Sequence, residues 1–175
     1  MAVTSRRTTE SERDAIVGEL LARSGPYPPQ GPQRPLEVTI LARPDLVPWR
    51  YPPRTDFQYG EWLREDFERG VPVPWNEMNP DAATLVTTVR RSSHPLFGPP
   101  ATELLDPVPR EDLVRTMMDT IPALRADLAW DTRNVLLTFA RMWYTVVTGE
   151  VVSKESAATW SAGRLAKPLD QPLLR

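Results

Sequence analysis

Four polar residues recur at helical spacing near the end of the chain. They are Asp131, Asn134, Thr138 and Arg141. At 100° per residue they fall within an arc of roughly 80°. The stripe offers a carboxylate, an amide, a hydroxyl and a guanidinium, which are side-chain types that bind a polar or charged small molecule in a cleft. A stripe of this kind is also typical of an ordinary solvated helix face. The pattern alone leaves both interpretations open.

A single carboxylate, Glu37, lies in the apolar segment that we predict as a strand from Leu36 to Leu41. Alternation along the strand places Glu37 and Thr39 on the face opposite the apolar side chains. A carboxylate buried there requires a partner or a metal ion, because an uncompensated buried charge is costly. Exposure on an edge strand is the alternative.

Trp62 follows Gly60 in the sequence Tyr-Gly-Glu-Trp. The glycine allows a close approach of the backbone, and an indole in such a position can stack on a ring or a sugar. An aromatic residue at helical spacing is also a common core residue. The sequence therefore predicts either a ligand contact or a packing residue.

The overall charge gives no reason to expect nucleic acid or an anionic membrane as a partner. The chain has 21 basic and 23 acidic residues, a formal net charge of −2. It contains no apolar run of membrane-spanning length, and its first 20 residues lack the core of a signal peptide. We therefore expect a cytoplasmic protein.

Metal chemistry would have to rely on carboxylates. The sequence has no cysteine and one histidine, which excludes thiolate nucleophiles and multi-histidine metal sites. Oxygen ligands favour hard cations, so any metal is expected to be Mg²⁺.

Several helices can be read from caps and apolar periodicity. A capping box at Thr9 and Glu12 begins a helix that we expect to end at Gly25. The stripe helix is expected to stop near Gly149 and to bury an apolar face made of Val135, Phe139, Met142, Trp143, Val146 and Val147. The other predicted helices are Phe57–Arg69, Asp81–Arg91, Glu111–Ile121 ended by Pro122, and Lys154–Leu165 with Ser153 as its N-cap.

These elements predict an α+β protein with two parts. Residues 1–75 form a mixed α/β domain and residues 76–175 an all-helical bundle. The boundary falls in the proline-rich stretch from Pro72 to Pro80, after which no segment has strand character.

Three sequence blocks resemble one family of enzymes. They are EVTILARPDLVPWRYPPRTDFQYGEW at Glu37–Trp62, LDPVP at Leu105–Pro109, and the segment Asp131–Lys154. They are similar in order and spacing to the aminoglycoside adenylyltransferases that modify streptomycin and spectinomycin, and the resemblance extends from about Val3 to Leu165. It implies a nucleotidyltransferase domain followed by a helical domain, with the drug and ATP bound in the cleft between them.

The resemblance also implies roles for single residues. Glu37 is similar to the proposed general base, which is also a metal ligand. Arg141 and Lys154 correspond to residues that contact the phosphates of ATP. The drug side is expected to consist of Trp62, Asp127, Asp131 and Asn134. The family transfers AMP from ATP to a drug hydroxyl with the help of Mg²⁺, and the chain is expected to act as a monomer.

One family motif has no counterpart here. Family members carry a Gly-Ser followed by Asp-x-Asp, whose two aspartates hold the metal ions, and this sequence contains neither. The residues Met1–Thr4 resemble the end of the strand that follows Asp-x-Asp. We therefore expect a chain truncated at both ends, beginning downstream of the metal site and stopping before the family's final helices.

Three functions remain open at this point. The first is an aminoglycoside adenylyltransferase seen as an incomplete chain. The second is a catalytically inactive remnant that retains drug binding. The third is a helical interaction protein whose polar stripe contacts a partner.

Overall fold

The computed structural model describes residues 1–71 and 77–165. Its strands are β1 (Ala2–Thr4), β2 (Val38–Ala42), β3 (Arg54–Thr55), β4 (Phe57–Tyr59) and β5 (Glu77–Met78). Its helices are α1 (Glu10–Arg23), α2 (Arg43–Leu46), α3 (Arg64–Glu68), α4 (Asp81–Arg91), α5 (Ala101–Leu104), α6 (Arg110–Asp127), α7 (Thr132–Thr148) and α8 (Lys154–Ala162), with a 3₁₀ turn at Glu61–Leu63. This order confirms the predicted α+β class, because strands and helices alternate up to β5 and only helices, α4 to α8, follow among the described residues.

Helix α1 begins at the predicted capping box, because Thr9 accepts from the Glu12 amide and the Glu12 side chain accepts from the Thr9 amide. Its C-cap is Ser24, so the prediction of Gly25 was wrong by one residue. Gly25 is needed for a different reason: a Cβ there would lie 2.4 Å from the carbonyl oxygen of Gln33. The glycine allows the following loop to close on itself.

Strand β2 forms the middle of a three-stranded sheet. It pairs in parallel with β1 and antiparallel with β4, where Thr39 lies opposite Gln58. The strand begins at Val38, two residues later than predicted, so Glu37 lies just before it and is exposed rather than buried in the strand. The exposed position removes the cost of burial that the sequence suggested.

The predicted helix Phe57–Arg69 was wrong in its first half. Phe57 and Tyr59 alternate into the core beneath α1 as part of β4, and regular helix begins only at Arg64. Burial of these two aromatic rings with Ile40 outweighs the helical pattern of the residues that follow.

Strand β5 pairs with β3 in a second, two-stranded sheet. The predicted boundary between residues 75 and 76 lies outside the described residues, and the domain division stays a prediction. One core cluster joins residues from both sides of it, Leu41 and Leu46 with Ala82, Val86 and Leu105.

The helical part has no strand between residues 79 and 165. Helix α6 runs through Pro122 to Asp127, so the expected end at Ile121 was wrong. Pro122 lacks the backbone N–H that a helix interior uses, which disfavours continuation of the helix. The helix continues past it all the same, and it is anchored in the core by the buried side chains of Leu113 and Met117. Among the residues that the structure describes, no helix has the length and apolar character needed to cross a bilayer.

Helix α7 ends at Gly149, whose φ of 76° makes it a left-handed cap, as expected. Its buried arc is rotated from the predicted one. Val135 and Thr145 are buried, whereas Trp143, Val146 and Val147 are exposed, so the prediction was wrong for those three residues. The rotation turns part of the polar stripe inward, towards the sheet.

Candidate active site

A cavity of about 440 Å³ lies between the sheet and the helices, and we call it the polar cavity. Glu37, Thr39 and Gln58 line it from the sheet side, and Arg141 and Lys154 line it from α7 and α8. Its walls also carry six hydroxyls from the helices, those of Thr84, Thr88, Thr116, Thr120, Thr138 and Thr145. The pairing of Thr39 with Gln58 brings the sheet residues together, and helical spacing does the same for those on α7.

Two cations lie in the polar cavity without a carboxylate in direct contact. No ion pair or hydrogen bond holds the Arg141 guanidinium among the described residues, and burial lowers its pKa. Burial, and then repulsion from Arg141, lowers the pKa of Lys154. Both side chains therefore carry a charge that the protein itself compensates poorly, which is the condition for binding an anion.

Asn134 lies next to this pair rather than among the residues that line the polar cavity. Its Oδ1 accepts a hydrogen bond from Lys154 Nζ. The Asn134 side chain on α7 thus orients the ammonium group of Lys154 on α8. Its predicted contact with a drug stays a prediction.

A second cavity, of about 680 Å³, also has Glu37 in its lining, and we call it the aromatic cavity. Its lining combines two aromatic side chains, four carboxylates, one guanidinium and a proline-rich loop. The residues are Pro26, Tyr27, Pro35, Leu36, Glu37, Glu61, Trp62, Arg64, Glu65 and Asp131. Such a surface suits a ligand that has cationic groups and ring faces.

Trp62 presents its indole to the aromatic cavity with 61% of its surface exposed. A Cβ at Gly60 would lie 2.2 Å from this ring, so the glycine makes room for the indole of its own turn. The glycine therefore allows a close approach, as expected, and the group that lies against the Gly60 backbone is the Trp62 indole.

The turn that carries Trp62 is fixed by a half-buried acid, Glu61. Glu61 accepts hydrogen bonds from Arg64 at 2.7 Å, from Tyr59 Oη at 2.8 Å and from the Ser24 hydroxyl. The Arg64 guanidinium, more than any other contact, holds the Glu61 pKa down at about 2. Ser24 Oγ also accepts from the Leu36 amide at 2.8 Å, so one network connects the Trp62 turn to the residue before Glu37.

Glu37 alone, among the described residues, lines both cavities. The predicted general base therefore lies between the predicted phosphate-binding cations and the predicted drug-binding residues Trp62 and Asp131. Charge from Glu37 and Asp131 also acts to raise the Lys154 pKa against the effect of burial.

The two predicted acids near the start of α7 are placed differently. Asp131 is the N-cap of α7, its side chain makes no capping bond, and it lines the aromatic cavity. Asp127 ends α6 and is exposed, and its carbonyl accepts the Asp131 amide at 2.9 Å. Asp127 is not among the residues that line either cavity, and its role in drug binding stays a prediction.

Thr145 is a site residue that the sequence analysis missed. Its buried hydroxyl has no hydrogen-bond partner within the described part of the chain, and it lines the polar cavity. The signal was present, because Thr138, Arg141 and Thr145 follow one another at spacings of three and four. Tyr27 and the network around Glu61 had no comparable signal, since they depend on the fold.

The residues present do not fit a Mg²⁺ centre. Over residues 1–71 and 77–165, no group of three or more His, Asp or Glu side chains could hold a metal ion. Glu37 contributes one carboxylate, and a protein-bound Mg²⁺ needs octahedral oxygen coordination built on more than one such group or on substrate phosphates.

Comparison with known proteins gives consistent results. A family model described as the C-terminal domain of aminoglycoside adenylyltransferase matches residues 103–175. The chain is 40% identical to spectinomycin 9-adenylyltransferase of Staphylococcus aureus over 167 residues, 95% of this chain and 64% of the relative. It is 40% identical to aminoglycoside (3'') (9) adenylyltransferase of Klebsiella pneumoniae over 161 residues, 91% of this chain and 61% of the relative.

A solved structure shares the fold. The crystal structure of spectinomycin adenyltransferase AAD(9) from Enterococcus faecialis with ATP and spectinomycin superimposes with a TM-score of 0.87 at 30% identity. The match covers 94% of this chain and 66% of that one. The chain spans 64% of the length of the Staphylococcus relative, and it is similar to aminoglycoside adenylyltransferases in sequence and in fold.

Proposed function

We propose that the chain supplies the drug-binding cavity, the phosphate-binding cations and the general base for transfer of AMP from ATP to a hydroxyl of spectinomycin or streptomycin. The observation that carries the proposal is the position of Glu37, which lines both the polar and the aromatic cavity. A base for this reaction must contact the drug hydroxyl while that oxygen faces the α-phosphorus of ATP.

The nucleotide occupies the polar cavity in this proposal. Arg141 presents a planar fork and Lys154 a compact charge, and together they suit a triphosphate. Their lowered pKa values are consistent with an anion-binding role, because a bound phosphate would offset both the burial and the mutual repulsion of the two cations.

The drug occupies the aromatic cavity. Trp62 packs against a ring of the drug, while Asp131 accepts hydrogen bonds from its cationic or hydroxyl groups. Asn134 and Asp127 complete the drug side as the family resemblance implies. Since the two acids flank the start of α7, they would contact neighbouring parts of one ligand.

The reaction proceeds by proton transfer and displacement. The Glu37 carboxylate takes the proton of the drug hydroxyl as its oxygen forms a bond to the α-phosphorus. The bond between that phosphorus and the bridging oxygen of the β-phosphate breaks, and pyrophosphate leaves with the electron pair. ATP is thus a co-substrate of the reaction. In this proposal the chain acts as a monomer in the cytoplasm, without nucleic acid or membrane as partner.

The experiment measures drug-dependent release of pyrophosphate. The 175-residue chain, which has no Asp-x-Asp, is expected to bind drug and ATP with no turnover above background. A version supplied with the family's Gly-Ser and Asp-x-Asp segment is expected to turn over, and Glu37→Gln in that version should abolish turnover while both ligands still bind. Full activity of the Glu37→Gln variant would refute the role of Glu37.

The drug-binding remnant is the second candidate, favoured by the lack of a carboxylate cluster among the described residues. It predicts the same binding but no turnover even in the version that carries the metal-binding segment. The pyrophosphate assay on that version therefore separates the two candidates.

A further inference from the structure

A closed loop, residues 25–35, forms one wall of the aromatic cavity. Two hydrogen bonds hold its neck together, from the Gly25 amide to the Arg34 carbonyl at 3.0 Å and from the Leu36 amide to Ser24 Oγ at 2.8 Å. At the neck the chain passes itself so closely that a Cβ on Gly25 would overlap the Gln33 carbonyl. The loop is therefore tied at its base to the residue that precedes Glu37.

The loop is also stiff for its length. Five of its eleven residues are proline, at positions 26, 28, 29, 32 and 35. Each proline fixes one backbone torsion and reduces the number of conformations open to the loop. A side chain carried by such a loop is held in place at little further entropic cost.

Tyr27 is that side chain. It lines the aromatic cavity with 78% of its surface exposed, and none of the described residues contacts it by a hydrogen bond or a ring interaction. Trp62 lines the same cavity and is 61% exposed. Two largely uncovered aromatic rings therefore face one cavity, and a ligand there would bury both.

The charge of the cavity indicates what kind of ligand the rings would meet. Glu37, Glu65 and Asp131 line it without an ion pair to any described residue, while Arg64 neutralises Glu61. An acidic cavity with aromatic walls favours a ligand that carries cationic groups on a ring system, since such groups bind both to carboxylates and to aromatic faces.

We propose that Tyr27 is a ligand-contacting residue. It forms a second aromatic wall of the drug site, in addition to Trp62, and so contributes to the choice of drug. The inference rests on the proposed function, because the ligand is the aminoglycoside or aminocyclitol assigned to this cavity. The contact is made by the ring face of Tyr27, while its hydroxyl is dispensable.

The test titrates the 175-residue chain with spectinomycin, streptomycin and ATP by calorimetry. Tyr27→Ala should weaken the affinity for whichever of the two drugs the unsubstituted chain binds, roughly three- to tenfold, the size expected for loss of one aromatic contact. Tyr27→Phe should bind as tightly as the unsubstituted chain, and ATP affinity should be the same in all variants. Phe97→Ala is the matched control, because Phe97 is 98% exposed on another proline-rich loop and lines neither cavity.

Three results would overturn the proposal, and they are distinguishable. If Trp62→Ala weakens drug binding and Tyr27→Ala does not, the second wall is absent while the drug site stands. If Tyr27→Ala weakens ATP as much as drug, the residue acts on the fold and not on the ligand. If the unsubstituted chain binds neither drug, the proposed function fails and the inference fails with it.

Discussion

The carboxylate of Glu37 is the group that we propose as the proton acceptor of the transfer reaction. It reaches the polar cavity on one side and the aromatic cavity on the other, and its exposed position leaves it free to meet a substrate hydroxyl. Lys154 lines the polar cavity and Trp62 lines the aromatic cavity. At the scale of single residues, the proposed site therefore combines one shared acid with two separate sets of binding groups.

Gly60 controls the position of the Trp62 indole. Its φ of −161° is open to any residue, so the effect of a substitution is spatial and not a matter of backbone strain. Gly60→Ala would put a Cβ against the ring and push the indole out of place. We expect drug affinity to fall about as far as in Trp62→Ala, with the melting temperature little changed, as measured by calorimetry and thermal unfolding. Gly18→Ala, where a Cβ meets nothing within 4 Å, is the matched control.

The proposed contact of Lys154 with the phosphates of ATP predicts that ATP binding depends on pH. Its pKa lies below the ordinary value of 10.5 because of burial and of the charge on Arg141, and phosphate binds the protonated form. ATP affinity should therefore fall as the pH is raised towards the ordinary lysine value of 10.5, and the fall should begin at a lower pH than for an unperturbed lysine. Titrations across this range should show the fall, and Lys154→Arg should lessen it because a guanidinium does not titrate there. An identical pH profile in both proteins would contradict the assignment.

At the scale of elements, the chain positions the site by short connections at strand ends and helix ends. The capping box of α1, the helix α4 and the left-handed cap of α7 could be predicted from sequence, because each depends on residues a few positions apart. The strand β4 and the continuation of α6 past Pro122 could not, since both depend on packing against distant parts of the chain.

The same distinction holds for the candidate site. The stripe on α7 was visible as a period that Thr145 continues, but the rotation of the stripe towards the sheet and the burial of Thr145 could not be predicted from that period. The sharing of Glu37 between two cavities arises from contacts between segments about a hundred residues apart. Such contacts leave no periodic signal in the sequence.

The Glu61 network links three elements, α1 through Ser24, β4 through Tyr59 and α3 through Arg64. The pKa of Glu61 in the folded protein, about 2, lies below the ordinary value of 4.5. The stabilisation that the ionised Glu61 gives to the fold is therefore full above pH 4.5 and is lost as the pH falls towards 2. Glu61→Gln should lower the free energy of unfolding by about 1–3 kcal/mol at neutral pH. Urea unfolding should show that this difference shrinks through the same pH window. Glu65→Gln, an exposed neighbour, should show neither effect.

At the scale of the whole molecule, the sheet and the helices are joined firmly enough to define the two cavities. Leu41 and Leu46 share a core cluster with Ala82 and Val86 of α4. Trp49 Nε1 donates to Asp112 at 2.9 Å, and Tyr51 Oη donates to Asp119 at 2.8 Å, so the segment after β2 is bonded to α6. The distance between Glu37 and the residues on α7 is thus set by the core and by these bonds.

The most direct test of the account is a calorimetric titration of the 175-residue chain with drug and with ATP, comparing variants on the two sides of Glu37. Asp131→Asn or Trp62→Ala should weaken drug binding with ATP affinity unchanged, and Arg141→Ala should weaken ATP binding with drug affinity unchanged. Loss of a charge-assisted hydrogen bond corresponds to about 1.5–3 kcal/mol, or roughly a tenfold to hundredfold change in affinity. If Asp131→Asn left drug affinity unchanged, or if Arg141→Ala weakened drug and ATP equally, the assignment of two separate cavities that meet at Glu37 would be wrong.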